Sequence, residues 1–276
     1  MTASRPLMEV VRLSAGYLRA HGSPTARLDA ELLAALALGI RRLDIYLQYD
    51  RPLDEPQLAA IRELVRRRGG GEPVAYITGE KDFWGRPFTV TPAVLIPRPE
   101  TETLVQVALD HARTLGRDHL TIVDVATGSG CVAVTLAAEL PGARLVATDV
   151  SAGAAAVARV NAERHGVADR VDVLVGSWAD PVDGVVADIL VANPPYIATA
   201  VLESLDRDVR DHEPRLALDG GEDGLDAYRA LLPSAARVLA ADGWAAFETD
   251  IGAAREVELL GVAALGGSSR THPDLS

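Results

Sequence analysis

The tetrapeptide Asn193-Pro194-Pro195-Tyr196 follows directly on the apolar run Ile189-Leu190-Val191-Ala192. A run of that length with bounded ends reads as a buried strand. The proline pair stops it, because proline gives no N–H to a sheet ladder and restricts the residue before it. Asn193 therefore stands at the C-terminal end of a strand, where open α/β sheets place their chemistry. Its side chain carries an acceptor and a donor, and the carbonyl of Pro194 is a second acceptor close by. Two acceptors converging on one point suit a planar NH2 group. Asn-Pro-Pro is also readable as a plain loop opener, so the tetrapeptide alone leaves both readings open.

Three further clusters fall at the ends of successive apolar runs. Asp124-Val125-Ala126-Thr127-Gly128-Ser129-Gly130 joins a strand to a helix, and glycines there let a ligand approach the backbone and leave helix N-terminal amides free. The spacing matches neither Gly-x-Gly-x-x-Gly nor a phosphate loop ending in Gly-Lys-Ser/Thr. Asp149 closes Val146-Ala147-Thr148 and is suited to accept hydrogen bonds from both hydroxyls of a ribose. It could instead cap the helix that follows, although Ser151 can do that itself. Trp178, after Ser177, can wall off an adenine ring or simply pack in the core. Taken together, a Gly-rich turn, a ribose acceptor, an aromatic wall and an amide along one sheet edge form a coherent nucleoside site.

The elements that must position these residues follow from periodicity. From Leu120 onward strand and helix patterns alternate, which argues a parallel sheet covered on both faces. Strands are predicted near 120–125, 144–148, 171–175, 188–192 and 244–248, the last entered through the turn Ala241-Asp242-Gly243. The clearest helices are predicted over 131–140, 152–165, 225–240 and 253–265, and a polar stretch, 199–219, precedes the turn Gly220-Gly221-Glu222-Asp223-Gly224. Before the sheet, Arg5 to about Gly71 reads as a helical bundle. Its first helix turns Leu7, Val10, Val11, Ser14 and Leu18 to one face. A second, opened by Ser23-Pro24, turns Leu28, Leu32, Leu33 and Leu36 inward and ends at Gly39. A third, opened by Asp54 and Pro56, ends in Arg66-Arg67-Arg68, read as a solvated helix end suited to the helix dipole. Phe83, Trp84, Phe88 and Val90, around Gly85-Arg86-Pro87, read as a hairpin or an extended linker. The stiff segment Leu95-Ile96-Pro97-Arg98-Pro99 that follows is either a site wall or a connector. The expected division is a bundle over 1–75, a hairpin linker over 76–99 and a catalytic domain over 100–276.

Composition narrows the partners. The formal charge of −12 argues against a broad phosphate-binding surface, so no direct nucleic acid binding is expected. Cys131 is the sole cysteine, which excludes an intrachain disulfide, fits a reducing compartment and reads as a small buried residue. With no secretory pattern and no bilayer-length apolar stretch, the chain reads as a soluble, cytoplasmic monomer. No metal site is read from it.

The Gly-rich turn, Asp149, Trp178 and Asn193-Pro194-Pro195-Tyr196 resemble a class I S-adenosylmethionine-dependent methyltransferase that methylates amino groups. More narrowly, Phe83-Trp84-Gly85, Leu95 to Glu102, His212-Glu213-Pro214-Arg215 and Gly220 to Leu225 resemble the release factor glutamine methyltransferases, from about Ser23 to Glu248. The resemblance implies a Rossmann-like α/β sheet and transfer of methyl from S-adenosylmethionine to a glutamine amide of a peptide chain release factor, leaving S-adenosylhomocysteine. It implies that Ala126, Thr127, Gly128, Ser129 and Gly130 line the methionine part, Asp149 holds the ribose and Trp178 lies by the adenine. Asn193 and the Pro194 carbonyl would hold the target amide, Tyr196 would pack on it, and the helical bundle would help recognise the release factor.

Three departures stand out. Ala126 occupies a usual glycine position, tolerable if its φ is negative. Phe247-Glu248-Thr249-Asp250 replaces a Glu-Ile-Gly-like strand end. After Leu265 only Gly266 to Ser276 remain, so the seventh strand is expected to be missing and the sheet edge more exposed. Two other readings share these residues: an adenine-N6 DNA methyltransferase, since an exocyclic NH2 poses the same problem, and a cofactor- or release-factor-binding protein with little or no catalysis.

Overall fold

A computed structural model describes residues 5–182 and 184–273; the end of the Gly266 to Ser276 segment, 274–276, lies outside the described residues. The chain divides into two compact units, one running to Glu80 and including Asp206–His212, the other made of Lys81–Leu205 and the chain from Glu213 on.

The first unit opens with β1 (Arg5–Pro6), followed by α1 (Leu7–Ala20), α2 (Ala26–Leu38) and α3 (Asp44–Leu47); β2 (Pro52–Leu53) pairs antiparallel with β1, and α4 (Glu55–Gly69) and α5 (Val74–Thr78) follow. Leu7, Val10, Val11, Ser14 and Leu18 of α1 are buried, as their spacing predicts. Asp54 caps α4 through a reciprocal pair with Gln57, with Pro56 in the first turn.

Three expectations change here. The Ser23-Pro24 start is late by two residues, because Ser23 and Thr25 each donate a 2.7 Å hydrogen bond to the Asp29 carboxylate instead of capping. The buried stripe of α2 is Ala26, Asp29, Ala30, Leu33 and Ala34, while Leu28 and Leu36 stay exposed at 43% and 42%. Small residues let the neighbouring helices approach closely, so Leu28 and Leu36 turn outward while Leu33 stays buried as its spacing predicts. The arginine run is not a uniform solvated end either. Arg66 pairs with Glu63 and Arg67 with Glu72, but Arg68 is buried, 2.8 Å from Asp29 and 3.3 Å from Asp208.

The second unit begins within β3 (Glu80–Phe83), which forms a true hairpin with β4 (Arg86–Thr89). Its turn residues Trp84 and Gly85 have φ of 53° and 66°, the left-handed pair that matches strand twist in two-residue turns. Next come α6 (Thr101–Leu115), β5 (Thr121–Val125), α7 (Cys131–Glu139), β6 (Arg144–Asp149), α8 (Ala152–Arg164), β7 (Val171–Val175) and β8 (Ala187–Ala192). The chain passes through α9 (Arg207–His212) of the first unit, then forms α10 (Asp226–Val238), β9 (Leu239–Phe247) and α11 (Ala254–Leu265). The sheet is parallel throughout, in the order β7-β6-β5-β8-β9.

Alternation along the strands fills two cores. Ile122, Ile189 and Val191 face one side, with Phe83, Phe88, α6 and α7; Val123, Val125, Leu190 and Ala192 face the other, with Leu231 and Ala235 of α10. Both faces are thus covered by apolar contacts. β9 begins earlier than its sequence predicts: Ala187 pairs with Leu239 but Ile189 with Trp244, so Ala241-Asp242-Gly243 bulges out of the ladder. Among the described residues β9 is an edge strand, and residues 266–273 add no further strand.

Candidate active site

Four strand ends meet along one edge. Asp124 sits one residue before the end of β5, wholly buried, accepting the Thr127 hydroxyl at 2.6 Å and the Ala133 N–H at 3.2 Å. Burial pushes its carboxyl up to about 7, against those two donors. The loop it supports turns through Ala126 at φ 58° and Gly128 at φ 56°. The condition under which alanine is tolerated here, a negative φ, is not met: the residue occupies the left-handed region where glycine is at ease, and its Cβ carries the strain.

Asp149 ends β6. Its Oδ2 accepts the Gly128 N–H and its Oδ1 the Ser151 N–H, both at 2.9 Å, while the Ser151 hydroxyl caps α8 by accepting from Ala154. The capping role thus belongs to Ser151. Burial raises the Asp149 carboxyl above its ordinary range despite the two amides.

At the end of β8, the Asn193 side-chain NH2 donates to the Thr101 hydroxyl at 3.1 Å. That contact turns the other end of the amide, Oδ1, away from Thr101. Pro194 is buried, and the Tyr196 ring packs with Leu225, Tyr228 and Leu232. The Tyr196 hydroxyl donates to Glu248 Oε1 at 3.4 Å, and burial, then Glu248, raises the phenol. The Gly-rich turn makes this geometry possible. A Cβ at Gly220 would lie 2.8 Å from the Tyr196 Cα, and one at Gly224 2.5 Å from the Tyr196 carbonyl oxygen.

The segment before α6 turns out to be a wall. Glu213 accepts the Ile96 N–H at 3.0 Å and pairs with Arg98, and Leu95, Pro97 and Arg98 line a cavity of about 480 Å³. Ala126, Thr127, Gly128, Ser129, Asp149, Trp178, Asn193 and Pro195 line it too. Gly130, Pro194 and Tyr196 are not among the lining residues. At Gly130, φ 79°, a Cβ would come 3.0 Å from the Ala158 side chain of α8, a tight contact added to a backbone conformation that favours glycine. Cys131 borders the cavity with its thiol pushed up to about 12 by burial, so it is no nucleophile at neutral pH.

Some contributors escape sequence reasoning. Asn161 of α8 donates to the Ser129 and Thr89 carbonyls at 2.8 and 2.9 Å and accepts the Thr89 N–H at 2.8 Å, tying the loop to the hairpin. Thr101 and Glu248 reach Asn193 and Tyr196 from distant parts of the chain. Only the unusual Pro-Arg-Pro and Phe-Glu-Thr-Asp stretches signal them beforehand.

A five-stranded parallel sheet with β5 at its centre, a Gly-bearing turn after β5, a carboxylate ending β6 and Asn-Pro-Pro-Tyr after β8 define a Rossmann-like methyltransferase. Residues 9–79 match the PrmC N-terminal domain and residues 101–211 the methyltransferase small domain. The release factor glutamine methyltransferase of Geobacter sulfurreducens is 46% identical over 91% of this chain and 86% of its own. That of Chlorobaculum tepidum is 43% identical over 92% and 88%. Among solved structures, a methyltransferase from Pyrococcus furiosus is 19% identical, with a TM-score of 0.47 over 66% of this chain and 80% of that one. The chain belongs to the release factor glutamine methyltransferase family.

Proposed function

We propose that this protein transfers a methyl group from S-adenosylmethionine to the side-chain amide nitrogen of a glutamine in a peptide chain release factor. The observation that carries the reading is the Asn193 amide, held by Thr101 through its NH2 end at the edge of a cavity that Asp149 and Trp178 also line. Among the described residues no helix is long and apolar enough to cross a membrane, which is compatible with work in the cytoplasm on a component of translation.

The cavity's donor set fits S-adenosylmethionine. Each oxygen of Asp149 already accepts one backbone N–H and retains lone-pair capacity for a ribose hydroxyl. Trp178 offers a flat face for the adenine, and the backbone from Ala126 to Ser129 borders the space for the methionine part. When bound, S-adenosylmethionine supplies a methyl on a cationic sulfur, already electrophilic.

The remaining work falls to the chain's own side chains. An amide nitrogen is a poor nucleophile because its lone pair is delocalised into the carbonyl. Asn193 Oδ1 and the Pro194 carbonyl, by accepting its two N–H groups, orient the nitrogen in line and stabilise the positive charge that develops on it. The Tyr196 ring, packed on Leu225, Tyr228 and Leu232, backs the segment that carries these acceptors, and the walls from Leu95 to Arg98 exclude water. The helical first unit supplies surface for recognising the release factor.

The test is methyl transfer to a purified release factor and to DNA, with calorimetry for S-adenosylmethionine. Transfer to a release-factor glutamine by the wild type, abolished in Asn193→Ala with cofactor binding retained, is the expected result. Transfer to DNA adenine instead, or binding without any transfer, overturns the reading.

A further inference from the structure

Asn161 is fully buried on α8 and does not line the cavity. An asparagine amide has two N–H groups and one oxygen, and here each meets its complement. The NH2 donates to the Ser129 carbonyl at 2.8 Å and to the Thr89 carbonyl at 2.9 Å, while Oδ1 accepts the Thr89 N–H at 2.8 Å. One side chain thus holds β4 by both backbone groups of Thr89 and the loop after β5 by the Ser129 carbonyl.

The loop end of this link is a peptide unit fixed on both sides. While Asn161 takes the Ser129 carbonyl, the Gly130 N–H of the same peptide donates to the Thr127 carbonyl at 2.8 Å. The Gly130 carbonyl in turn accepts the Val134 N–H at 2.8 Å, at the start of α7. Turning the Ser129 carbonyl away from Asn161 therefore breaks the Thr127 bond as well, and it moves Ser129, Cys131 and Val132, all of which line the cavity. At the other end α8 holds β4 by two more residues. Arg164 donates to the Thr89 hydroxyl at 3.3 Å, and His165 Nε2 donates to the Pro87 carbonyl at 3.0 Å with its ring 4.8 Å from that of Phe88.

We propose that Asn161 is a positioning residue for the cofactor: it anchors the Ser129–Gly130 peptide to β4, so that binding in the cavity and the seating of the hairpin on α8 are linked. This rests on the reading of the cavity as the S-adenosylmethionine site. Linkage is reciprocal, so a cofactor that holds the loop also holds Thr89. An aspartate at 161 keeps the shape and the acceptor for the Thr89 N–H but sets its oxygens against two carbonyls. A leucine keeps roughly the volume and removes all three hydrogen bonds. In both variants the buried Ser129 carbonyl loses its donor, and the loop leaves its place to find another.

The experiment compares wild type, Asn161→Asp and Asn161→Leu by calorimetry with S-adenosylmethionine and by steady-state transfer to the release factor, with thermal melts to establish folding. Amide hydrogen exchange of the wild type with and without S-adenosylmethionine reads the hairpin directly. Each variant that folds is expected to bind S-adenosylmethionine roughly tenfold or more weakly, with the KM for the release factor little changed. In the wild type, S-adenosylmethionine is expected to slow exchange at the Thr89 amide by more than it slows the amides of α11, which supplies no cavity residue. A merely structural asparagine would instead lower the melting temperature and the fraction of protein that binds, while the affinity of the folded fraction stayed at the wild-type value. That result, or Thr89 exchange slowed no more than that of α11, would overturn the proposal; the exchange measurement decides it alone where neither variant folds. A wild type that does not bind S-adenosylmethionine is a separate outcome: it removes the cofactor site on which the proposal stands and so overturns both.

Discussion

Gly128 and Asp149 are joined by a 2.9 Å hydrogen bond from the glycine N–H to Oδ2 of the carboxylate, across the ends of β5 and β6. The acid thereby shapes the loop that borders the cavity while its remaining lone pairs face the same space. An asparagine in its place has one acceptor for two backbone N–H groups, since its NH2 must meet either Gly128 or Ser151 as donor against donor. Asp149→Asn is expected to weaken S-adenosylmethionine binding by about 10- to 100-fold, in line with the loss of a charged hydrogen bond. Calorimetry checks this directly, and unchanged affinity would remove the ribose role from Asp149.

Ala126 is in the left-handed region, and its conformation makes a stability prediction that runs against the usual penalty for glycine. For an alanine that region costs about 1–2 kcal/mol, partly offset by the greater freedom of glycine in the unfolded chain. Ala126→Gly is expected to stabilise the protein by up to about 1 kcal/mol. Ala126→Val, with a branched Cβ in the same conformation, is expected to destabilise it. Urea melts of the three proteins should rank glycine, alanine, valine; the reverse order at either step would mean that the loop adopts negative φ in solution.

What the chain discloses beforehand is largely what local pattern controls. Apolar runs with sharp ends mark β5, β6, β7 and β8, and those ends carry or adjoin Asp124, Asp149, Trp178 and Asn193. Contacts between distant residues are a different matter. No spacing rule places the Thr101 hydroxyl on Asn193, 92 positions away, or Tyr196 on Glu248, 52 away. The inward face of α2 is only half legible for a related reason: Leu33 is buried, but Leu28 and Leu36 give way to alanines where the helices approach closely. The bulge in β9 is hidden because Ala241-Asp242-Gly243 has the composition of a turn, and only the partner strand reveals that the ladder continues on both sides.

The buried pair of Arg68 and Asp29 offers a test of the first unit alone. Arg68 is 9% exposed and Asp29 3%, with Ser23 and Thr25 completing the acid's partners. Removing one member leaves a buried charge uncompensated, which costs about 3–5 kcal/mol, whereas an apolar pair of similar volume is often tolerated. Arg68→Ala is therefore expected to lower the unfolding midpoint sharply. The double change Arg68→Met with Asp29→Leu should recover most of the loss. Equal destabilisation by the single and double variants would show that packing, rather than charge, is what Arg68 supplies.

Asp124 should impose a pH dependence on stability opposite to that of an ordinary surface acid. Desolvation raises its carboxyl from 3.8 to about 7 in the folded protein, with nearby Asp149 adding to the rise and Thr127 and Ala133 resisting it. Between those values the folded chain keeps a proton that the unfolded chain has released. Stability therefore falls as pH rises through this window. The contribution is whole below the unfolded value and is lost as pH passes about 7. Asp124→Asn removes the titration while keeping an oxygen for the Thr127 hydroxyl and the Ala133 N–H. Thermal melts of both proteins from about pH 5 to about pH 8 should show the wild type losing ground to the variant as pH increases. Parallel curves across that range would mean that the carboxylate is ionised at little cost, and that water or a partner reaches Asp124 in solution.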